Sequence, residues 1–218
     1  MDVFEAVQNR HSVRSYLDTP IPEETAKKLR GAIEDVNRES GLHFALFTQE
    51  LTGFAGKLKN VRNYIAFAGS GEKLEERIGY YGAKLMLEAQ MLGLNSCWVA
   101  MSFNKGAVTK LMALQEGEKV VNALALGYGE TQGIPHRTKP MKKLCRCDGS
   151  MPDWFRKGME TVMLAPTAIN QQQFLFTLAD GTVSARAKLG PCSQIDLGIV
   201  KYYFEIGSGK KVFPPDKK

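Results

Sequence analysis

The chain has 218 residues, 44% of them hydrophobic and 24% charged, with a formal net charge of +6. That composition suits one large globular domain or two small fused ones, with enough core to shape a pocket. It excludes a disordered or collagen-like chain, and no run approaches the roughly 18 apolar residues a membrane helix needs. The start, Met1-Asp2-Val3-Phe4-Glu5, lacks a signal-peptide layout, and the four cysteines (Cys97, Cys145, Cys147, Cys192) make no even secretory framework. The expectation is a cytosolic protein with reduced thiols. The positive residues are scattered, apart from Lys139, Lys142, Lys143 and the tail Lys210, Lys211, Lys217, Lys218. Without interleaved aromatics they read as solvated lysines plus a few phosphate ligands, rather than a nucleic-acid surface.

In chain order, residues 2–9 suit a short helix with Val3, Phe4 and Val7 on one face. Pro22 opens a second helix, with Glu23 and Glu24 favoured by its dipole and Gly41 at its end. Strands are expected at 42–47 and 64–68. From 73 to 92, Leu74, Ile78, Tyr81, Leu85, Ala89 and Leu92 repeat at helical spacing, and Gly93 is a natural stop. A further helix is expected at 104–115, a buried strand at 120–126, and a polar connection at 130–150. The last third reads as a helix (154–164), a loop (165–173), a strand (174–178), a hairpin-type turn at Asp180-Gly181 and a helix from about 194 to 204. Helix, loop and strand thus follow one another in the first and last thirds. That raises an internal duplication of architecture, not of residues.

Four segments carry site signals. Arg10-His11-Ser12-Val13-Arg14-Ser15-Tyr16 follows the first helix, and two arginines with serines between them suit a phosphate. The same residues suit a solvated basic turn. The long helix leads into Gly93-Leu94-Asn95-Ser96-Cys97-Trp98-Val99-Ala100, where Cys97 and Trp98 also fit a packed core. Leu126-Gly127-Tyr128-Gly129 is followed by Pro135-His136-Arg137-Thr138-Lys139-Pro140. Glycines at a strand end let backbone approach a ligand, whereas the basic residues also fit a plain surface loop. Ala165-Pro166-Thr167-Ala168-Ile169-Asn170-Gln171-Gln172 offers a hydroxyl and amides, which also fit an ordinary cap between helix and strand.

In this order the segments resemble the nitroreductase family, over roughly residues 2–145 plus the 165–173 loop. Residues 10–16 resemble its Arg-Arg-Ser-x-Arg-x-Phe/Tyr segment, with His11 in the second slot. Residues 80–99 resemble its Tyr-x-Ala helix and the Cys-Trp turn that follows. Arg137 and Lys139 match its basic pair, and residues 165–172 resemble its Ala-Pro-Ser-x-x-Asn-x-Gln-Pro loop. In the family that loop comes earlier, where this chain has Asn37-Arg38-Glu39-Ser40-Gly41. The resemblance implies an α+β fold, an antiparallel-rich sheet flanked by helices, with one FMN held without a covalent bond. It implies Arg10, Ser12 and Arg14 as ligands of the phosphate and ribityl chain, a backbone role at His11, and Arg137 and Lys139 reaching the phosphate. Backbone groups of Trp98, Val99 and Ala100, with Pro166, Thr167 and Asn170, would border the flavin ring. Residues 1–150 would form the FMN-binding part and 151–218 would complete the site, in a pseudo-dimeric monomer or a homodimer. Electrons would pass from NAD(P)H to a small organic acceptor such as a nitroaromatic or a quinone, with no catalytic side chain. Reductive dehalogenation, flavin fragmentation or a non-catalytic redox-sensing role are the alternatives.

Other signals are weak. Cys145 and Cys147 lack a second ligand pair for zinc, His43 reads as a packed strand residue, and His136 has no triad partners in view. No Gly-x-Gly-x-x-Gly follows a strand, so a nicotinamide would have to stack on the flavin itself. Asp196-Leu197-Gly198-Ile199 reads as a packing element near a helix start.

Overall fold

The computed structural model describes residues 1–49, 54 and 58–213. Of the basic tail, Lys217 and Lys218 lie outside these residues. Helix α1 (Val3–Asn9) opens on Asp2, whose side chain accepts from the Glu5 N–H while Glu5 returns the bond, a capping box. Helix α2 (Glu23–Ser40) buries Ala26, Leu29, Ile33 and Val36 and stops on Gly41 at φ 65°. That left-handed closure suits a residue without a β-carbon. There follow β1 (His43–Phe47), β2 (Asn63–Gly69), α3 (Leu74–Met91), β3 (Asn95–Val99), α4 (Lys105–Leu111) and β4 (Lys119–Gly127). The last third adds β5 (Cys145–Cys147), α5 (Asp153–Val162), β6 (Phe174–Ala179), β7 (Thr182–Ala187) and α6 (Ser193–Ser208).

The first four strands form a wholly antiparallel sheet in the order β1-β2-β4-β3, leaving β3 at an edge. A second sheet, β5-β6-β7, pairs β5 with β6 in parallel and β6 with β7 as a hairpin. The expected α+β class with an antiparallel-rich sheet is observed. Several local expectations change. Residues 95–99 are a strand rather than a turn, because they pair along residues 123–127 of β4. The helix expected over 104–115 stops at Leu111, where Met112 turns to extended backbone and buries its side chain with Phe103 and Val108. The 130–150 connection contains β5, and the turn at Asp180-Gly181 has a strand on both sides. The last helix continues to Ser208 and closes on Gly209 at φ 66°. His43 is not core: it is half-buried, with Nδ1 2.7 Å from Glu118 Oε2.

Helices α3 and α6 cross with their backbones in contact. A β-carbon on Gly79 would run into the Ile195 carbonyl, and one on Gly198 into the Glu76 carbonyl. Only glycine at these two positions permits the approach. One core wraps these helices with Phe155, Phe174, Phe176 and Phe204; a second, with Val13, Tyr16, Tyr64, Phe103 and Val108, packs on the sheet. The crossing brings the first turns of α6 to the β3 side of the four-stranded sheet.

Candidate functional site

A cavity of about 700 Å³ opens beside β3, within the size range of small-molecule sites. Ser12 and Arg14 form one wall, and residues 97–102 run along another. Residues 166–169 and the start of α6 (Pro191, Cys192, Ile195, Asp196, Ile199) close the opposite side, with Asn122 and Leu58 also lining it. Both the first 150 residues and the last third of the same chain therefore contribute walls.

The segment after α1 is tied to β3: Ser12 bridges Ser96 in parallel, and the Val13 N–H donates to the Ser96 carbonyl at 3.0 Å. Val13 and Tyr16 turn inward, and the Tyr16 hydroxyl donates to the Val13 carbonyl at 2.7 Å. Arg14 is exposed at the cavity wall. Among the described residues its guanidinium makes one hydrogen bond, Nη1 to the Ser12 carbonyl, long at 3.4 Å, and has no carboxylate partner. Arg10 is different. It is buried behind this wall, with Nε and Nη1 lacking partners among the described residues. Its charge bears on its surroundings: burial and then Arg10 lower the His11 imidazole, and burial raises the Tyr203 phenol while Arg10 opposes.

The 165–172 loop is held from outside. Lys139 Nζ donates to the Gln171 carbonyl at 2.6 Å, and the Lys139 N–H to Gln172 Oε1 at 2.8 Å. The Arg137 carbonyl accepts from Asn170 Nδ2 at 2.8 Å and from Gln172 Nε2 at 3.0 Å. Ile169, Asn170 and Gln172 all have left-handed backbone, at φ 46°, 56° and 47°. Such non-glycine conformations are costly and persist only where the surroundings over-determine them. Thus Ser12, Arg14, Trp98, Val99, Ala100, Pro166 and Thr167 line the cavity. Arg10, His11, Arg137, Lys139 and Asn170 lie outside its lining among the described residues.

The family described as "Putative TM nitroreductase" matches residues 2–208. The chain belongs to this nitroreductase family. No curated protein matches it by sequence. A Thermotoga maritima protein described as a "putative nitroreductase" is 20% identical, with a TM-score of 0.67 over 95% of this chain and 83% of that one. A "Putative NADH dehydrogenase/NAD(P)H nitroreductase" from Parabacteroides distasonis is 23% identical, with a TM-score of 0.52 over 65% of this chain and 95% of its own. A variant of an FMN and NADPH-dependent nitroreductase from Sphigopyxis sp. strain HMH is 15% identical, with a TM-score of 0.52 over 66% and 97%. At these identities the likeness carries the fold, which is the nitroreductase fold. The last two match nearly whole chains to about two thirds of this one.

In this nitroreductase-family chain the Trp98 ring is mostly a packing group. It lies 5.1 Å from the Phe67 ring, with Nε1 3.1 Å from Met86 Sδ, in space left by Gly82. Cys97 lines the cavity, and burial pushes its thiol pKa up against the opposing charges of Arg14 and Arg10. A protonated thiol is a poor nucleophile. Among the described residues no cluster of His, Cys, Asp or Glu could hold a metal ion, and no helix is long and apolar enough to cross a membrane. His136 Nε2 is 3.2 Å from the Met163 carbonyl.

Among the cavity residues that sequence reasoning did not assign, two are buried and polar. Asp196, read as part of a packing element, is buried in the first turn of α6. It accepts from the Ala168 N–H at 2.9 Å and from Gln171 Nε2 at 2.8 Å, so it braces the loop from inside. Burial raises its carboxyl from 3.8 to about 6, against those two hydrogen bonds. Asn122 was passed over inside an apolar strand. Its signal was there, as the lone polar residue between Val121 and Ala123.

Proposed function

We propose that this chain is an FMN-dependent oxidoreductase that moves electrons from NAD(P)H to a small organic acceptor such as a nitroaromatic or a quinone. The observation that carries this reading is the cavity itself: a mainly apolar slot with a guanidinium, Arg14, on its wall that has no carboxylate partner among the described residues. A planar ring with a phosphate tail fits that distribution.

The residues present suit the group. Arg14 and the Ser12 hydroxyl would hold the phosphate, and the buried Nε and Nη1 of Arg10, without partners among the described residues, add positive charge behind them. Thr167 Oγ1 accepts from the Gln172 N–H at 3.1 Å, so its own proton is free to donate to a ring heteroatom. Backbone of Val99 and Ala100 would border the ring, with Pro166 across the slot. His11, Arg137, Lys139 and Asn170 would act through the walls they brace. The flavin supplies hydride and electron transfer when bound. The chain supplies charge for the phosphate, donors at the polar edge, and an apolar slot in which a nicotinamide and then an acceptor can stack. Met101 and Ile169, both strongly exposed at the cavity, give that slot an apolar rim. No side chain need transfer a proton for such alternate use of one slot. Because both parts of the chain wall the cavity, 1–150 would be the flavin-binding part and 151–218 its cover. The setting would be the cytosol, where reduced nicotinamides are available.

The test is direct. Purified protein should absorb near about 370 and 450 nm, as bound flavin does, and release FMN on denaturation. Turnover with NADH or NADPH and a nitroaromatic separates the oxidoreductase from a redox-sensing module. A colourless protein that fails to take up FMN at micromolar levels sinks the reading.

A further inference from the structure

Asn122 interrupts the apolar run Val120-Val121-Asn122-Ala123-Leu124 of β4, a strand buried from residue 120 to 127. The register sets Asn122 opposite Phe67, and Leu124 opposite both Ile65 and Trp98. Opposed residues share a face, so the amide belongs to the face that carries Phe67, Leu124 and the Trp98 ring. The residue is 2% exposed, and Oδ1 has no hydrogen-bond partner among the described residues. A buried amide oxygen left unpaired forfeits its hydration with nothing in return, and leucine or valine would fill such a place without that penalty. Gln90 Oε1 and Ser96 Oγ are also buried and unpartnered, but only Asn122 of the three lines the cavity.

Because Asn122 lines the cavity, a ligand bound there is placed to supply the missing partner. A primary amide offers an acceptor and donors side by side. Its complement is an N–H beside a C=O, as in a carboxamide, lactam or imide. We propose that Asn122 is a specificity-determining residue that recognises the amide edge of a heterocycle bound in this cavity. The inference rests on the flavin reading, which brings two such edges to the site: the imide edge of the flavin ring and the carboxamide of the reduced nicotinamide.

Two ligand pairs and one variant test it. FMN is compared with N3-methyl-FMN, which lacks the imide N–H. NADH is compared with its reduced 3-acetylpyridine analogue, which lacks the amide N–H. Wild type should prefer the donor-bearing member of one pair by about tenfold. Asn122→Leu should lose that preference while melting, without ligand, at or above the wild-type temperature, because it removes an unpaired buried amide. Flavin affinities come from fluorescence titration, and nicotinamide half-saturation from anaerobic flavin reduction. A lost FMN preference names the flavin edge, and a lost NADH preference names the nicotinamide. Overturning results are a wild type indifferent within both pairs, a variant that keeps the wild-type preference, or a ligand-free variant that melts well below wild type. The last would mean that the amide is already satisfied. A wild type that binds no flavin at all sinks the flavin reading itself, and the first titration shows this separately.

Discussion

Replacing Asp196 with Asn should change how stability depends on pH. The carboxyl is buried and its pKa is raised from 3.8 to about 6. The main cause is burial, which the Gln171 and Ala168 hydrogen bonds oppose. At about 1.4 kcal/mol per unit, the shift corresponds to at most about 3 kcal/mol. Because the folded pKa lies above the unfolded one, the fold binds this proton more tightly than the unfolded chain does. The group's favourable contribution is therefore fully present below about pH 4 and is lost as pH rises through 6. Above that, the buried carboxylate weighs against the fold.

Asn at 196 carries no charge and can still accept from the Ala168 N–H. Its amide would face Gln171 Nε2 donor to donor, a pH-independent loss of roughly 1 kcal/mol. The slope, rather than the offset, is therefore diagnostic. Urea unfolding of both proteins from pH 4.5 to 8.5 should show the variant gaining about 2 kcal/mol on wild type between acid and alkaline ends, since about a third of the full effect is already lost by the acid end. Parallel stability curves would show that Asp196 ionises in the fold as it does in the open chain, and the argument that burial outweighs its two hydrogen bonds would fall.

Arg14→Ala should weaken FMN binding about tenfold to a hundredfold while leaving riboflavin, which lacks the phosphate, little changed. Equal losses for the two ligands would place Arg14 away from the phosphate. Gly198→Ala should cost roughly 2–3 kcal/mol in chemical denaturation, because its β-carbon meets the Glu76 carbonyl and lies 2.6 Å from the Tyr80 nitrogen, both backbone. A wild-type midpoint would mean that α3 and α6 do not touch there. Since both parts of one chain wall the cavity, monomers isolated by size exclusion should bind one flavin each. Flavin binding confined to a dimer fraction would make the site a shared one.

Much of this fold was legible because it rests on local rules. The spacing of Leu74, Ile78, Leu85 and Ala89 marks α3 with no knowledge of what it packs on. Gly41 and Pro22 frame α2 through backbone preferences that belong to single residues. Short apolar runs bounded by turn residues locate β1, β2, β4 and β6. The residues at 95–99 depend on partners 24 to 32 positions away, so a strand there could only be seen once β4 lay beside it. The same holds at the site. Two arginines near the start and a polar loop near residue 165 point to a phosphate and a ring by residue type alone. Their separation into Arg14 on the cavity wall and Arg10 behind it was decided by which way the backbone turns as it bridges Ser96. Asn170 and Lys139 have the chemistry of ligands but spend it on the loop. Asp196 became a cavity residue only because Gly79 and Gly198 let α6 approach α3 to backbone contact. Sequence determined which side chains could do the chemistry; tertiary structure decided which of them face the cavity, because facing depends on packing between segments far apart in the chain.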